Sequence, residues 1–488
     1  MKIAIDKINK ALITDNPNRI EWIMLGIVSF MFYTTMYYTD NFAIFGAAFS
    51  LNEELIEGES LNLLGSMVHP YGVLHQWICE LWVAPINILH HLLGLNLDNP
   101  ISILWCKLCI VFFLVLCLKE TLNIATILGI SKNYNGWLLY FIVSNILVVL
   151  PVFHIAQTDC IYLLFMLMGF RALLEKKITG FLVCFAVANS FKMISLFMFI
   201  PLVLLVEKRV FYVFRNTLIG CSIIFLQRIW YRIVGFINGV LFANRSTESI
   251  DVAIQDVEAS ADGIGNFYKK IADYTLFFKF PAIREGYTAS LLILLFGILC
   301  IWCFVQKEYD CEEMKNKCLY ASVLSMIIFF VTASPAPYWI ILLYPFLFLL
   351  VYSKNKRIRI NLLLEKAFSL TLFIVYVMST FWVYGGAQTF EKLFLTKWGL
   401  VPTDHYLMGT PNIAGYLSKI GMEEMMPIVT AICLASIVGF VWINYPSNKY
   451  DEQLSGDSLL KLHHEFAIFN ICILYGWYII NVLLLSRY

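Results

Sequence analysis

Apolar residues in this chain come in long unbroken runs rather than in strand-like alternation. Crossing a bilayer takes about 20 apolar residues, or 17–25 with tilt. Runs of roughly this kind fall near 20–39, 101–118, 136–153, 160–174, 179–191, 193–206, 211–228, 287–306, 318–333, 338–352, 367–385, 426–444 and 466–485. Hydrocarbon offers no partner for a backbone N–H or C=O, so such runs are satisfied as helices. The pattern therefore predicts an all-α polytopic membrane protein with about thirteen transmembrane helices. The fourth to sixth runs are short and are interrupted by Lys192 and Pro201, where helix breaks are expected. The run 72–93 carries Glu80, Pro85, His75, His90 and His91, which are costly at the bilayer centre. It reads as an interfacial or re-entrant helix, with a true span as the competing reading.

Charge placement bears on that choice. With 72–93 interfacial, 22 of the 35 Lys and Arg fall in segments on one side, and segment 40–100 on the other side holds none. If 72–93 crossed, the basic stretch Lys354–Lys366 would face outside, against the positive-inside tendency. The expected organisation is a first module, 1–228, with outer loop 40–100, then an outer loop 229–286. A second module, 287–488, follows with its own outer loop 386–425. The large outer loops are expected to carry juxtamembrane helices. Neither a fixed-period repeat nor an inverted repeat is visible.

Composition agrees and removes several classes. The chain is 60% hydrophobic and 14% charged, against about 25% charged in soluble domains. Lys and Arg total 35 against 34 Asp and Glu, leaving no basic field for nucleic acid. Nearly all of the 13 cysteines stand singly in apolar runs. The two CxxC spacings, Cys106/Cys109 and Cys300/Cys303, lack a flanking His cluster. His69, His75, His90 and His91 do not have zinc-motif spacing, so no metal site is expected.

A few polar residues interrupt this pattern where a bilayer would tolerate them only for a reason. Asp40 closes the first run in Tyr37-Tyr38-Thr39-Asp40-Asn41-Phe42. It either marks the water boundary or acts as a general base at the roof of a membrane cavity. Gln157-Thr158-Asp159 follows the third run at the same expected level. Asp159 either caps the next helix or shares a cavity with Asp40, two carboxylates facing one pocket as in sugar chemistry. Lys192 stands between two short runs, while Arg228 and Arg232 stand at the end of the seventh. Each cation either anchors at the interface or neutralises a lipid-linked phosphate. The stretch His69-Pro70-Tyr71-Gly72 opens the 72–93 helix, with Pro near its start.

The order of these features resembles the GT-C superfamily of multispan glycosyltransferases. The nearest likeness is to the GPI mannosyltransferase and ALG-type glucosyltransferase branch and its bacterial relatives. It is carried by residues 20–205. Asp40 matches the family's acidic residue in the first outer loop. Ala156-Gln157-Thr158-Asp159 is similar to its Gly-Gln-x-Asp stretch, and Phe191-Lys192 through Pro201 to its Phe-Lys…Pro stretch. Two departures stand out. Related bacterial enzymes often carry His-Glu-Arg-Tyr where this chain reads Ser334-Pro335-Ala336-Pro337-Tyr338-Trp339. The second acid of an Asp-x-Asp is replaced by Phe42.

The resemblance implies inverting transfer of a sugar from a polyprenyl-phosphate donor to an acceptor hydroxyl at the outer or lumenal face, with no cofactor. Asp40 and Asp159 would be catalytic. Gln157, Lys192, His69, Tyr71, Arg228, Arg232 and Tyr338 would contact substrate. The implied partners are the donor lipid, a glycan, lipid-linked or protein acceptor, and membrane lipids. The implied location is the plasma membrane of a bacterium or the endoplasmic reticulum of a eukaryote. A cell-surface polysaccharide polymerase or ligase and a lipid-linked glycan flippase or transporter are the competing expectations.

Overall fold

The computed structural model describes residues 14–36, 44–50, 52–53, 72–94, 99–242, 277–279, 288–306, 311–333, 335–354, 357–379, 413–446 and 456–485. These are almost entirely helical. In chain order the helices are α1 (Arg19–Thr35), α2 (Val73–Leu93), α3 (Pro100–Ile127), α4 (Asn135–Ser144), α5 (Ile146–Val149), α6 (Asp159–Leu174), α7 (Ile178–Phe191), α8 (Leu196–Val206), α9 (Val210–Gly220) and α10 (Ser222–Phe242). There follow α11 (Leu291–Val305), α12 (Cys311–Thr332), α13 (Tyr344–Ser353), α14 (Ile358–Ser379), α15 (Ile413–Lys419), α16 (Met422–Ile443) and α17 (Gly456–Leu485). Between α10 and α11, Phe277–Lys279 pairs antiparallel with Thr288–Ser290, Phe277 opposite Ser290.

Among the described residues, four helices are long and apolar enough to cross a bilayer: α3, α12 from Glu312, α14 and α16. Six result if each of two bent pairs makes one span. Several other expected spans are shorter apolar helices, among them α7 and α11. Large apolar side chains such as Ile27 and Phe30 on α1 and Val438 and Trp442 on α16 face outward. An apolar outer surface of this kind suits lipid contact. The chain is an α-helical membrane protein.

Polar residues decide where the helices start and bend. At α1, Asn18 accepts from the Glu21 amide at 2.9 Å while Glu21 accepts from the Asn18 amide at 2.7 Å. That reciprocal pair satisfies two of the donors every helix start leaves open. The other Glu21 oxygen meets His464 Nδ1 at 2.7 Å, tying α1 to α17. The expected run 136–153 bends by 65° at Asn145. There the amide side chain caps Leu147 N at 2.9 Å and donates to Glu365 at 2.7 Å and Ser369 at 3.1 Å on α14.

The chain breaks at Lys192, as the sequence suggests. α7 ends at Phe191, Lys192 is extended, and a 3-10 turn, Met193–Ser195, leads into α8. Pro201 does not break the chain. It sits in the second turn of α8 and costs that helix one backbone hydrogen bond, which its packing outweighs. The seventh run also differs from expectation. It bends by 46° between α9 and α10, and α10 continues to Phe242, so Arg228 and Arg232 lie inside a helix rather than at its end.

Candidate functional site

Just before α6 the backbone departs from regular helix three times within a few residues. Leu150–His154, containing Pro151, forms a π-helical turn. Ala156 follows with φ +53°, and the Gln157 amide returns to Pro151 O at 3.1 Å. A π turn and a left-handed alanine are both locally costly, and such features gather at functional sites. Their effect is to place Gln157, Thr158 and Asp159 together at the head of α6, all three buried.

Asp159 is 1% exposed, and its Oδ1 lies 2.5 Å from Lys192 Nζ. The Lys192 side chain is 10% exposed, and its ammonium lies over three rings: Trp339 at 4.7 Å, Tyr162 at 5.4 Å and Tyr338 at 6.0 Å. Taking two charges out of water is expensive, and the close contact and the ring faces offset part of that cost. The break at Lys192 matters for this geometry, because an extended residue frees the side chain from the helix surface. Ser195 Oγ stabilises the break by donating to Lys192 O at 2.9 Å.

Helix α2 closes one side. His75 Nε2 and Thr158 Oγ1 are hydrogen bonded at 2.8 Å, and the His75 ring meets Phe191 edge-on. Gly72, at φ +87°, lets α2 start hard against α7 and α10. A Cβ there would lie 2.8 Å from Ser190 O and 2.7 Å from Gln227 Nε2. Among the described residues, the buried polar atoms on these elements and the neighbouring turn that lack a hydrogen-bond partner include Asp159 Oδ2, Gln76 Oε1, Trp339 Nε1 and Gln227 Nε2. Unmet buried polar atoms are costly, and a ligand bearing several hydroxyls could satisfy them. A carboxylate, a cation and aromatic faces can together bind a hydroxylated, phosphate-bearing molecule.

Of the residues singled out in the sequence, Asp159, Lys192 and Tyr338 meet directly, and Gln157 sits in the turn beside them. Arg228 is half-buried next to Gln227 at the rim, while Arg232 is exposed one turn further along α10. Asp40, His69 and Tyr71 lie outside the described residues. Sequence reasoning missed Tyr162 and Trp339, whose rings read as ordinary span residues, and considered His75 only as a metal ligand. It also passed over Lys107. That residue is fully buried in α3 and donates to Tyr33 O at 2.6 Å, Met36 O at 2.7 Å and Phe32 O at 3.4 Å. A cation on the last carbonyls of α1 is favoured by the helix dipole. A lone charge in an apolar run was the signal that could have found it.

No family model, curated protein or solved structure matches this chain.

Proposed function

We propose that the chain is a membrane glycosyltransferase of GT-C type, moving a sugar from a polyprenyl-phosphate donor to an acceptor hydroxyl by inversion. The observation that carries this reading is the buried Asp159–Lys192 pair beneath Tyr162, Tyr338 and Trp339. Aromatic faces suit sugar C–H surfaces, a carboxylate suits hydroxyls, and a cation stabilises a departing phosphate. The family likeness of residues 20–205 assigns the acceptor proton to Asp40. In the thirteen-span arrangement this site opens to the outer leaflet, where donor lipid enters sideways. Lys192 is then shared, since donor phosphate competes with Asp159 for it.

The test is sugar transfer in vitro from polyprenyl-phosphate donors, with donor binding measured beside it. Asp40→Asn keeps size and shape but cannot accept a proton, so turnover should fall about 10²–10⁴-fold with binding retained. Lys192→Met should weaken donor binding as well, because a phosphate-facing cation acts in the ground state too. Near-normal turnover in Asp40→Asn would return Asp40 to a boundary residue and make Asp159 the next candidate base.

A second reading, a lipid-linked glycan flippase or transporter, is favoured by one observation. Glu365 and Lys366 on α14 are buried well inside the bundle and paired at 2.8 Å. Glu365 also accepts from Asn145 and Ser369. Charges at such depth mark translocation pathways in many membrane proteins. Movement of a labelled lipid across sealed vesicles without sugar transfer would select that reading.

A further inference from the structure

The loop Glu207–Arg209 and the first turns of α9 form a charged cluster at the end of α8 remote from Lys192. Glu207 takes two bonds from the Arg209 guanidinium, at 2.9 Å and 3.0 Å. That side-chain contact and the Arg209 amide hold the Glu207 carboxyl down at about 2, so its charge is committed to Arg209. Lys208 is committed as well, with its ammonium donating to Leu204 O at 2.8 Å and Cys303 O at 2.7 Å, at the ends of α8 and α11.

Arg215 is different. Its guanidinium donates through Nε and Nη2 to Asn216 Oδ1, at 3.3 Å and 3.1 Å, and among the described residues no carboxylate lies within ion-pair distance. The residue is exposed on α9 beside Phe211, Phe214 and Leu218, all outward-facing. The bent pair to which α9 belongs is apolar enough to cross a bilayer. Helical side chains lean toward the helix N-terminus, so Arg215 leans toward Arg209. Tyr212 holds the two together, its ring 3.9 Å from the Arg209 guanidinium carbon and 4.6 Å from that of Arg215.

The Arg215 guanidinium, with no carboxylate at ion-pair distance among the described residues, puts a positive charge beside the outward-facing Phe211, Phe214 and Leu218. We propose that Arg215, with Tyr212 and Arg209, binds the phosphate of an anionic phospholipid whose acyl chains lie along Phe211, Phe214 and Leu218. The guanidinium still has N–H donors beyond the two on Asn216, a fork that matches phosphate oxygens. The site is independent of the proposed transferase chemistry and lies at the other end of α8 from it.

Native mass spectrometry of the purified full chain, supplied with phosphatidylglycerol or phosphatidylcholine, tests this. The wild-type chain should retain phosphatidylglycerol in preference. Arg215→Gln should lower that retention about fivefold, the loss of one basic contact near the membrane surface. Lys177→Gln, removing a cation already paired with Glu175, should leave it unchanged. If Arg215→Gln is not recoverable, Tyr212→Leu keeps both charges but removes the ring that joins them, and should lower retention in the same direction. Equal retention of the two lipids by wild type, or unchanged retention in the Arg215 or Tyr212 variant, overturns the proposal.

Discussion

A buried ion pair is a poor source of stability but a sensitive one. Removing one member of Asp159–Lys192 strands the other in a nearly dry site, which typically costs about 3–5 kcal/mol. Asp159→Asn leaves an ammonium over three rings; Lys192→Met leaves a carboxylate whose second oxygen already lacks a partner. Combining the two leaves no lone charge. The double variant should therefore be less destabilised than the sum of the singles, with a coupling of about 1–3 kcal/mol. Thermal unfolding of all four proteins in one detergent measures it; additive losses would mean the two side chains do not interact as drawn. Asp159, Gln157 and Lys192 were legible in the sequence because polar groups stand out in apolar runs. Tyr162 and Trp339 were not, because an aromatic ring at the end of a span looks the same whether it faces lipid or a lysine. Which of these residues would meet could not be read from spacing at all, since the pair spans two helices and a break.

Breaks, more than helices, build the site. The helices themselves were legible from run length, and α6, α7 and α8 lie close to the expected 160–174, 179–191 and 193–206. The interruption at Lys192 was also legible, since a charge splits the run there. Asn145 was not, because one amide in an otherwise apolar run signals nothing until Glu365 and Ser369, more than two hundred residues later, supply its partners. Pro201 misled for the opposite reason, since the helix continues through it although a second-turn proline removes one backbone hydrogen bond. Gly72 shows how tightly the pieces close. Its φ of +87° disfavours any Cβ, and the carbonyl of Ser190 would stand 2.8 Å from one. Gly72→Ala should force α2 away from α7, at a backbone cost of roughly 1–3 kcal/mol before any repacking, because φ +87° with ψ 157° is a region essentially reserved for glycine. The expected result is a lowered unfolding temperature together with weakened donor binding, because the His75–Thr158 bond moves with α2. An unchanged unfolding temperature would show that α2 does not start against α7.

At the scale of the whole molecule, the disposition of the site follows from three short antiparallel helices. α6 runs from Asp159 to a charged loop where Arg171, Glu175 and Lys177 pair with one another and with Glu120. α7 returns from that loop to Lys192, and α8 carries the chain back to Glu207–Arg209. Asp159 and Lys192 thus lie at one end of these helices, with Lys177 and the Arg209–Arg215 cluster at the other. At 1.5 Å per residue, the 16 residues of α6 separate the two ends by about 24 Å. The basic-residue asymmetry in the sequence predicts that the Lys177 end faces inside and the segments 40–100 and 229–286 face outside. In a background with the native cysteines replaced, Ser60→Cys and Ser260→Cys should therefore react with an impermeant thiol reagent in intact cells. Lys177→Cys should react only after the membrane is opened. Reaction of Lys177→Cys from outside would turn the Asp159–Lys192 site toward the inner leaflet, where the proposed outer-face transfer could not occur. Reaction at only one of Ser60 and Ser260 would put an odd number of crossings between them and sink the thirteen-span arrangement.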